Sequence, residues 1–487
     1  MISRSPISNN EYSLPSERLD GDLANFVELN KHRKIVAIQG LGFVGTAMSL
    51  VVAKASSHYA VVGVDRCDEL NYWKIGSINN FELPIVSSDP KLSEYMSLAK
   101  ENQNLFATHD PGVYSAAEII VVDINLDVQK INHKEDELSY QVSLDNFKDA
   151  IRTIGINMKD TALILVESTV PPGTTENIIK PILSKCLEDR GMDSSKLRLA
   201  HSYERVMPGK NYIDSIENFY RVYSGINDES ANLARDFLKN IIKTDQYPLT
   251  RLSNTNSTEI AKVLENSYRA MNIAFIQEWT ELAEAANVNL YEVIDAIRLR
   301  PTHSNIMRPG LGVGGYCLTK DPLLASWSSK KIFEGKPLKQ SEESVVINDR
   351  MPLHTYNKIS NFYNGSLKGK TVLILGVSYL SDVGDTRFTP TELLYEKLKD
   401  AGAKISLVDP YVSYWQEQDK VVENSIDINN EYENIIIATN HSEFASEKTL
   451  DKINSIKPNL IIDTMGIYLN CIEKINKEIN VITIGKG

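Results

Sequence analysis

Residues 34–45, KIVAIQGLGFVG, run from an apolar strand directly into a glycine-rich turn. Gly40, Gly42 and Gly45 have the spacing GxGxxG, and a helical pattern, TAMSLVVAKAS, follows them. The first glycine permits a tight turn, the second lets a pyrophosphate approach the backbone, and the third allows close packing of helix on strand. The stretch therefore predicts a βαβ unit that binds a dinucleotide at the N-terminus of its helix.

An acidic residue completes the pattern. Asp65 ends the next strand, YAVVGVD, twenty residues after Gly45. An acid at this position binds the ribose hydroxyls of NAD and repels the additional phosphate of NADP, although Arg66 beside it weakens that preference. We therefore predict NAD as the cofactor, bound by Gly40, Gly42, Phe43, Val44, Gly45, Asp65 and Arg66.

The rest of the chain alternates strands and helices at both ends and is helical in between. Strands are predicted in AEIIVVDI (117–124), TALILVEST (161–169), KTVLILGVSY (370–379) and AKISLVDP (403–410). Residues 254–287 contain no Pro or Gly and repeat apolar residues every three to four positions, which predicts one long helix or two in line. The expected fold class is α/β, with two α/β domains flanking a helical middle.

The composition excludes several classes of protein. A chain of 487 residues is too long for a single core and should form two or three domains. It has no apolar run long enough to span a membrane and no apolar signal-peptide core, so we expect a cytoplasmic protein without a membrane partner. A formal net charge of −12 disfavours a nucleic-acid partner. No disulfide framework or metal site is expected, because no CxxC pair occurs among Cys67, Cys186, Cys317 and Cys471.

One cysteine has unusual neighbours. Cys317 follows the glycines of GVGG (312–315) and precedes Lys320 and Asp321. Packing is the ordinary role of a cysteine, but small preceding residues open space around this sulfur, and a redox sensor would need a resolving cysteine nearby, which is absent from the sequence. A third role is a nucleophile that attacks a carbonyl produced by hydride removal, with a nearby cation favouring the thiolate. The residues alone leave packing and nucleophilic attack open.

Seven ordered stretches carry a resemblance to a known family: GLGFVG, ESTVPPGTT, YERVMPG, EIAKVLENSYRAMNIAF, PGLGVGGYCLTKDP, GVSYLSDVGDTRFTP and VDPYV. From about residue 34 to residue 470 the chain resembles the UDP-sugar 6-dehydrogenases, the UDP-glucose/GDP-mannose dehydrogenase family. The resemblance implies oxidation of a sugar C6 alcohol to a carboxylate with two NAD and one water, for surface polysaccharide precursors. It also implies two Rossmann-like, doubly wound domains joined by a long central helix that builds a homodimer.

The resemblance also implies a division of the chain. We expect an NAD-binding Rossmann domain at 31–230 and a central helical dimerisation region with the cysteine loop at 231–345. A C-terminal Rossmann-like domain at 346–487 would bind the UDP-sugar. Residues 1–30, rich in Ser, Asn and Pro, are expected to form a flexible N-terminal extension.

The family's catalytic residues match positions of this sequence. By resemblance, Cys317 attacks the C6 aldehyde, the thiohemiacetal is oxidised to a thioester, and water hydrolyses the thioester. Lys262 and Asn266 match residues that stabilise negative charge on the C6 oxygen, and their spacing of four places both on one helix face. Asp321 matches an aspartate that assists proton transfer and orients the water.

Three further positions match residues near the nicotinamide. Thr169 and Glu204 match a polar pair that lies near the catalytic water and the NAD ring. Arg387 matches an arginine that reaches the NAD site. Glu167, two residues before Thr169, receives no role.

The chain departs from the family pattern at several positions. Residues 121–128 read VVDINLDV where the family has a Val-Pro-Thr-Pro-like segment that contacts the nicotinamide half. Tyr203 replaces the usual proline, Leu380 replaces the usual lysine, and His303 stands where an arginine is common. These departures leave the chemistry in place and put the identity of the sugar in question.

The sequence favours a UDP-N-acetylhexosamine over UDP-glucose. Three features resemble the N-acetylhexosamine branch: Val313 in GVGG, VPPGTT at 170–175, and Pro208 in ERVMPG. Lys320 resembles the glucose branch, and Tyr316 stands where the N-acetyl branch often has histidine. The alternatives are a two-electron hydroxyacid dehydrogenase and a non-catalytic NAD-binding regulator. The regulator is disfavoured because all six positions that match the family's catalytic residues are retained.

Overall fold

The computed structural model describes residues 1–16, 21–131, 139–206 and 209–487. The chain divides into two compact units. The first comprises Met1–Gln129, Gln141–Val263 and Trp327–Lys336, and the second comprises Lys130–Tyr140, Leu264–Ser326 and Pro337–Gly487. The four-part division with boundaries at residues 30, 230 and 345 stays a prediction.

An eight-stranded sheet forms the centre of the first unit. The strands that begin or end in this unit are β1 (Ile2–Arg4), β2 (Glu11–Ser13), β3 (Lys34–Gln39), β4 (Tyr59–Val64), β5 (Leu105–Thr108), β6 (Ile119–Val122), β7 (Val128–Lys130), β8 (Tyr140–Val142), β9 (Leu163–Val166), β10 (Arg198–Tyr203), β11 (Val222–Gly225) and β12 (Thr250–Arg251). The sheet order is β12-β11-β10-β9-β6-β3-β4-β5, and all neighbours are parallel except β10 and β11. The strand order reverses at β3, between β4 and β6, which is where open α/β sheets bind ligands.

Helices cover both faces of this sheet. They are α1 (Gly21–Leu29), α2 (Phe43–Lys54), α3 (Tyr72–Asn79), α4 (Pro90–Asn102), α5 (Val113–Ala116), α6 (Asp145–Asn157), α7 (Lys180–Asp189), α8 (Asp214–Glu217) and α9 (Asp228–Ile241). Successive residues of a strand point to opposite faces, so Val36 and Ile38 join one core cluster while Ile35 and Ala37 join the other. Burial on both faces explains the continuous apolar runs in the sequence.

Regular elements are present at residues 1–16 and 21–30, the described part of the segment for which the sequence predicts a flexible extension. β1 and β2 form a hairpin, and α1 follows it. Ser3 Oγ donates to the Glu69 carbonyl at 2.7 Å, and a Cβ on Gly76 would lie 2.1 Å from the Tyr12 ring, so the hairpin packs closely on α3. Backbone pairing and a few specific contacts order this polar segment, and neither is visible in its composition.

The second unit has a five-stranded parallel sheet. Its elements, counting helices shared with the first unit, are α10 (Thr255–Ala285), α11 (Leu290–Arg298), α12 (Cys317–Lys331), α13 (Lys339–Phe362), β13 (Thr371–Leu375), α14 (Thr391–Asp400), β14 (Lys404–Val408), β15 (Tyr414–Trp415), β16 (Lys420–Val421), β17 (Asn434–Ile437), α15 (Glu447–Ile456), β18 (Leu460–Asp463) and β19 (Asn480–Thr483). The order β14-β13-β17-β18-β19 reverses next to β13, as in doubly wound sheets.

The long helix predicted over residues 254–287 is present as α10, Thr255–Ala285, with 31 residues. Neither α10 nor any other helix in the described part of the chain combines the length and apolarity needed to cross a membrane. Because α10 passes from the first unit into the second, it carries Lys262 in one and Asn266 in the other.

Candidate active site

The glycine-rich turn joins β3 to α2 and leaves the start of α2 accessible. Gly40 has a φ of +104°, and a Cβ on Gly45 would lie 1.8 Å from the Gly40 carbonyl oxygen. By contrast, the nearest atom to a Cβ on Gly42 would be Asn125 Nδ2, at 4.0 Å. Gly42 is the N-cap of α2 and contributes no side chain there. Backbone N–H groups at this helix N-terminus therefore have room for a pyrophosphate, which fits NAD.

Asp65 lies just after β4, where it lines a cavity of about 540 Å³. Its Oδ2 accepts hydrogen bonds from Leu41 N and Lys74 Nζ, both at 3.1 Å, which fix the carboxylate beside the turn. Arg66 lines the same cavity with a largely exposed side chain. The cavity offers space and an anionic acceptor for the adenosine half of a dinucleotide.

Glu204, directly after β10, forms a buried ion pair with Lys262 of α10. Lys262 Nζ lies 3.2 Å from Glu204 Oε1 and donates to the Glu204 carbonyl oxygen at 2.8 Å. The ammonium also lies 5.6 Å from the ring centre of Tyr203, the residue that replaces the family's proline. Burial raises the pKa of Glu204, but the Lys262 charge and the Val206 N–H outweigh it and hold the pKa below its ordinary value.

Thr169 lies between β9 and α7, in a segment held by a buried carboxylate. Glu259 of α10 is 1% exposed and accepts hydrogen bonds from Gly173 N (2.6 Å), Thr175 N (2.8 Å) and Thr175 Oγ1 (2.6 Å). Burial raises the pKa of Glu259 to about 7, against the effect of these bonds. Because Glu259 precedes Lys262 by one helical turn, the same helix positions Lys262 and the segment that carries Thr169.

Sequence reasoning missed a second buried ion pair. Arg221 Nη1 donates to Glu167 Oε1 at 3.2 Å, and the two side chains are 3% and 0% exposed. Burial raises the pKa of Glu167 to about 7. The signal that could have found Glu167 is its place directly after an apolar strand of a parallel sheet, because ligands bind at that edge.

In the second unit, Cys317 is the first residue of α12 and is exposed. This position places the partial positive charge of the helix N-terminus beside the sulfur. Gly315 has a φ of +76°, and Cβ atoms on Gly314 and Gly315 would lie 2.4 Å and 2.6 Å from Tyr379 atoms. Gly315 N donates to the Arg387 carbonyl at 3.0 Å. The glycines therefore let the cysteine loop pack directly against the segment that follows β13.

Asp321, one turn further along α12, is fully buried. Its Oδ2 accepts a hydrogen bond from Asn266 Nδ2 of α10 at 2.6 Å. Lys320 Nζ lies 3.3 Å from Asp321 Oδ1. The two groups form an ion pair but are not aligned for a hydrogen bond. The Lys320 ammonium lies 5.4 Å from the Tyr316 ring centre. The first turn of α12 therefore carries an exposed thiol, Cys317, and a buried carboxylate, Asp321, which is hydrogen-bonded to the Asn266 amide.

The other predicted positions lie in less enclosed surroundings. Arg387 forms a two-bond fork with Asp385, with Nε–Oδ1 at 2.9 Å and Nη2–Oδ2 at 2.6 Å. Leu380 and His303, two of the departures from the family pattern, are exposed. Pro208 lies outside the described residues.

Comparisons with known proteins identify the family. The UDP-glucose/GDP-mannose dehydrogenase family matches through its NAD binding domain at residues 34–243, its central domain at 256–350 and its UDP binding domain at 373–470. The UDP-N-acetyl-D-mannosamine dehydrogenase of Methanococcus maripaludis is 30% identical over 441 residues, which cover 89% of this chain and 93% of that relative. The chain belongs to the UDP-glucose/GDP-mannose dehydrogenase family.

A second member of this family is similar in both sequence and structure. The UDP-N-acetyl-D-mannosamine dehydrogenase of Pyrococcus horikoshii is 30% identical over 438 residues, covering 89% of this chain and 95% of the relative. A solved structure of the UDP-D-ManNAc dehydrogenase from the same organism has a TM-score of 0.78 and 27% identity, and covers 93% of this chain and 99% of that one. These findings confirm the predicted family and the fold class.

Family membership establishes the general activity. The protein is an NAD-dependent oxidoreductase, and its UDP binding domain supports a UDP-sugar as substrate. Four of the six predicted catalytic residues of this UDP-glucose/GDP-mannose dehydrogenase family member form two contact pairs, Glu204 with Lys262 and Asn266 with Asp321. Their roles stay predictions. Within the described ranges, no group of three or more His, Cys, Asp and Glu side chains could hold a metal ion.

Two alanine substitutions in the turn should separate folding from cofactor binding. Gly45→Ala must displace the Gly40 carbonyl and should lower the free energy of unfolding by about 2 kcal/mol or more, measured by thermal melting. The methyl group of Gly42→Ala meets only Asn125 Nδ2, at an unstrained 4.0 Å, so the melting temperature of this variant should stay near wild type. Its methyl group fills the space for the pyrophosphate, and the calorimetric Kd for NAD should rise at least about tenfold. A G42A variant with wild-type affinity would contradict this placement of the pyrophosphate.

Proposed function

We propose that the protein oxidises the C6 hydroxyl of a UDP-N-acetylhexosamine to the uronic acid in a four-electron reaction through a covalent intermediate on Cys317. The observation that carries this proposal is the exposed Cys317 at the start of α12, one turn before the buried Asp321–Asn266 pair. A two-electron dehydrogenase needs no such thiol. When bound, NAD accepts the hydride that leaves C6 in each of two oxidations.

In the first oxidation, the developing charge on the C6 oxygen requires fixed cationic or hydrogen-bonding groups. Lys262 and Asn266, one turn apart on α10, are proposed to stabilise this charge. Asp321 accepts from the Asn266 amide and is proposed to assist the transfer of the hydroxyl proton. Glu204 holds the Lys262 ammonium in place through the 3.2 Å ion pair, which limits the number of conformations that Lys262 adopts.

In the second half of the reaction, the sulfur of Cys317 forms a bond to the aldehyde carbon, and the carbonyl oxygen becomes the hydroxyl of a thiohemiacetal. Loss of a second hydride and the hydroxyl proton converts this adduct to a thioester. Water then attacks the thioester, the C–S bond breaks, and the carboxylate and the free thiol are released. Covalent capture keeps the reactive aldehyde from leaving between the two oxidations. Thr169 and Glu204 are proposed to lie near the attacking water.

The choice of an N-acetylhexosamine is supported by the relatives whose printed activity is on UDP-N-acetyl-D-mannosamine. The three sequence features that favoured it give less support in the structure. Val313 is 7% exposed, and Gly173 of the VPPGTT segment packs against Ile332 and Phe333, so both positions serve packing. Pro208 is outside the described residues. The proposal for the sugar therefore rests on the relatives.

A homodimer through α10 is part of the proposal. Large apolar side chains that are 44–60% exposed recur at helical spacing along one stripe of this helix: Ile260, Leu264, Tyr268, Phe275, Trp279 and Leu282. Apolar stripes of this length are normally covered in a soluble protein. A second copy of the same stripe, related by a two-fold axis, would cover it.

Replacing Cys317 with serine should stop turnover while the protein stays folded. The wild type should form two NADH per UDP-sugar consumed, and C317S should lose at least about 10³-fold in kcat because the second oxidation depends on sulfur. NADH absorbance and product chromatography measure both quantities. Cys471→Ser is the control, because Cys471 is partly exposed and does not line the cavity beside Asp65, and it should keep wild-type activity. One NADH per sugar in the wild type would instead identify a two-electron dehydrogenase.

A substrate panel tests the sugar. With saturating NAD, kcat/KM for UDP-GlcNAc or UDP-ManNAc should exceed that for UDP-glucose at least about tenfold, the discrimination expected when a site is built around the additional acetamido group. The proposal for the sugar fails if UDP-glucose is preferred. Lys320 and Tyr316, the two features that count against the N-acetylhexosamine branch, would then indicate the substrate correctly.

Charged substitutions on α10 test the homodimer. Trp279→Glu should convert a dimer to a monomer, since a carboxylate cannot be buried unpaired in an apolar interface. Light scattering coupled to gel filtration measures the mass. Ile156→Glu on α6 removes an apolar side chain of similar exposure outside the stripe and should leave the mass unchanged. A monomeric wild type, or a dimeric W279E, would refute an interface on this stripe.

A further inference from the structure

The N-terminal hairpin lies outside the part of the chain that matches the family. Strand β2 ends at Ser13, whereas the match to the family's NAD binding domain begins at residue 34. The hairpin nevertheless belongs to the same compact unit as the glycine-rich turn, and Ser16, three residues after β2, lines the cavity beside Asp65. The family match therefore assigns the hairpin no role, and its own contacts indicate what it does.

One face of the hairpin packs on α3. Ser3 and Tyr12 are paired directly across β1 and β2, so their side chains point to the same face. The Tyr12 hydroxyl lies 3.2 Å from Ser77 Oγ of α3. The Tyr12 ring covers Gly76, where a Cβ would lie 2.1 Å from the nearest ring atom. The hairpin therefore fits a helix surface that has no side chain at the point of closest contact.

Ser3 caps α3 from outside the helix. Asn71, the N-cap residue of α3, uses its side-chain oxygen to accept a hydrogen bond from Lys74 Nζ. The Trp73 N–H instead donates to Ser3 Oγ at 3.0 Å, and Ser3 Oγ donates to the Glu69 carbonyl oxygen at 2.7 Å. A capping oxygen satisfies one of the N–H groups that the first turn of a helix leaves without a partner. The start of α3 therefore depends on a buried hydroxyl seventy positions earlier in the chain.

The first turn of α3 carries a cation of the cofactor site. Lys74 directly follows Trp73, and its Nζ lies 3.1 Å from Asp65 Oδ2 and 2.9 Å from Asn71 Oδ1. The side chains of Lys74 and Asp65 are 20% and 10% exposed, so solvent ions screen this pair only weakly. Because Ser3 holds the N–H next to Lys74, the hairpin fixes the backbone from which the lysine reaches Asp65.

Asp65 needs a fixed orientation and a partly balanced charge to bind the adenosine ribose. Its Oδ1 accepts from Arg66 N at 2.8 Å, and its Oδ2 accepts from Leu41 N and Lys74 Nζ. Lone pairs that remain on both oxygens can accept from the ribose hydroxyls. The Lys74 ammonium also reduces the repulsion between this carboxylate and the pyrophosphate of the cofactor. A displacement of Lys74 would weaken both effects.

We propose that Ser3 and Tyr12 are positioning residues for the cofactor, which hold α3 so that Lys74 keeps Asp65 oriented for the adenosine ribose of NAD. An N-terminal segment outside the matched family domains thereby sets the affinity for the cofactor. The proposal rests on the NAD site at Asp65 and is independent of the sugar and of Cys317.

The test is calorimetric titration of NAD, ADP and UDP into the full-length protein. Ser3→Ala removes the cap of α3 and should raise the Kd for NAD about fivefold, the effect expected for loss of one capping hydrogen bond. The Kd for ADP, which contains the adenosine half and the pyrophosphate, should rise by the same factor. UDP should bind as to the wild type, because the UDP binding domain at 373–470 lies in the second unit.

The matched control is Ser13→Ala on the other face of the hairpin. Ser13 is exposed and pairs with Ile2, so its side chain points away from the face that carries Ser3. This variant should bind NAD and ADP with wild-type affinity. A merely structural role for Ser3 would lower the melting temperature of Ser3→Ala but leave both Kd values unchanged at temperatures where the protein is folded.

Gly76→Ala tests the same contact from the side of the helix. Alanine normally favours a helix over glycine, but here its methyl group must displace the Tyr12 ring. The Kd for NAD should therefore rise as in Ser3→Ala, and this variant carries the test if Ser3→Ala does not fold. Tyr12→Ala leaves room for the methyl group, so adding Gly76→Ala to Tyr12→Ala should cause no further loss of affinity.

A double-mutant cycle tests the route through Lys74. Lys74→Met removes the charge, keeps a long side chain and should itself raise the Kd for NAD. If the hairpin acts through Lys74, Ser3→Ala should have little further effect in the Lys74→Met background. Additive losses would exclude this route, and wild-type affinity for NAD in folded Ser3→Ala and Gly76→Ala would overturn the proposal. Failure to oxidise any UDP-sugar would refute the proposed function but would leave these titrations unaffected.

Discussion

The close approach of α2 to β3 is the constraint on which the cofactor half of the molecule depends. With no Cβ on Gly45, the helix packs within contact distance of the Gly40 carbonyl, and a side chain there would lie 1.8 Å from that oxygen. This contact brings the N-terminus of α2 to the position where strand order reverses. Asp65 on one side of β3 and Asp123 on the other therefore border the same turn, although the sequence separates them by 58 residues.

Polar contacts of α10 organise the remaining chemistry. Glu259, Lys262 and Asn266 follow one another at spacings of three and four, so they share one side of the helix. Glu259 accepts hydrogen bonds from the segment at 173–175. Lys262 pairs with Glu204, and Asn266 donates to Asp321. The exposed apolar residues of the same helix occupy different positions, so α10 carries polar contacts within each unit and also the side chains of the proposed contact between copies. A helix without Pro or Gly is well suited to this, because its side chains keep fixed relative positions.

Much of this arrangement could be predicted from the sequence, because it depends on local patterns. The GxGxxG turn, Asp65 and the long helix are encoded by residues close together in the chain, and the structure places them as expected. The N-terminal hairpin was not predictable, because Ser3 and Tyr12 hold it through hydrogen bonds with Trp73 and Ser77 of α3, more than sixty residues away. Glu167 was also missed. Its ion pair with Arg221 arises from the pairing of strands that are far apart in the sequence, which a linear sequence does not show.

The exposed position of Cys317 at a helix N-terminus has a consequence for the lifetime of the protein under oxidative conditions. Thiols that are accessible and lie near positive charge are the ones that peroxides attack first. Oxidation to the sulfenic acid would remove the proposed nucleophile while leaving both sheets intact. Since no disulfide links the four cysteines, all of which lie in the described ranges, and no other cysteine stands next to Cys317 in the sequence, repair would depend on external thiols such as glutathione. Supply of the proposed uronic acid product would then follow the redox state of the surrounding medium.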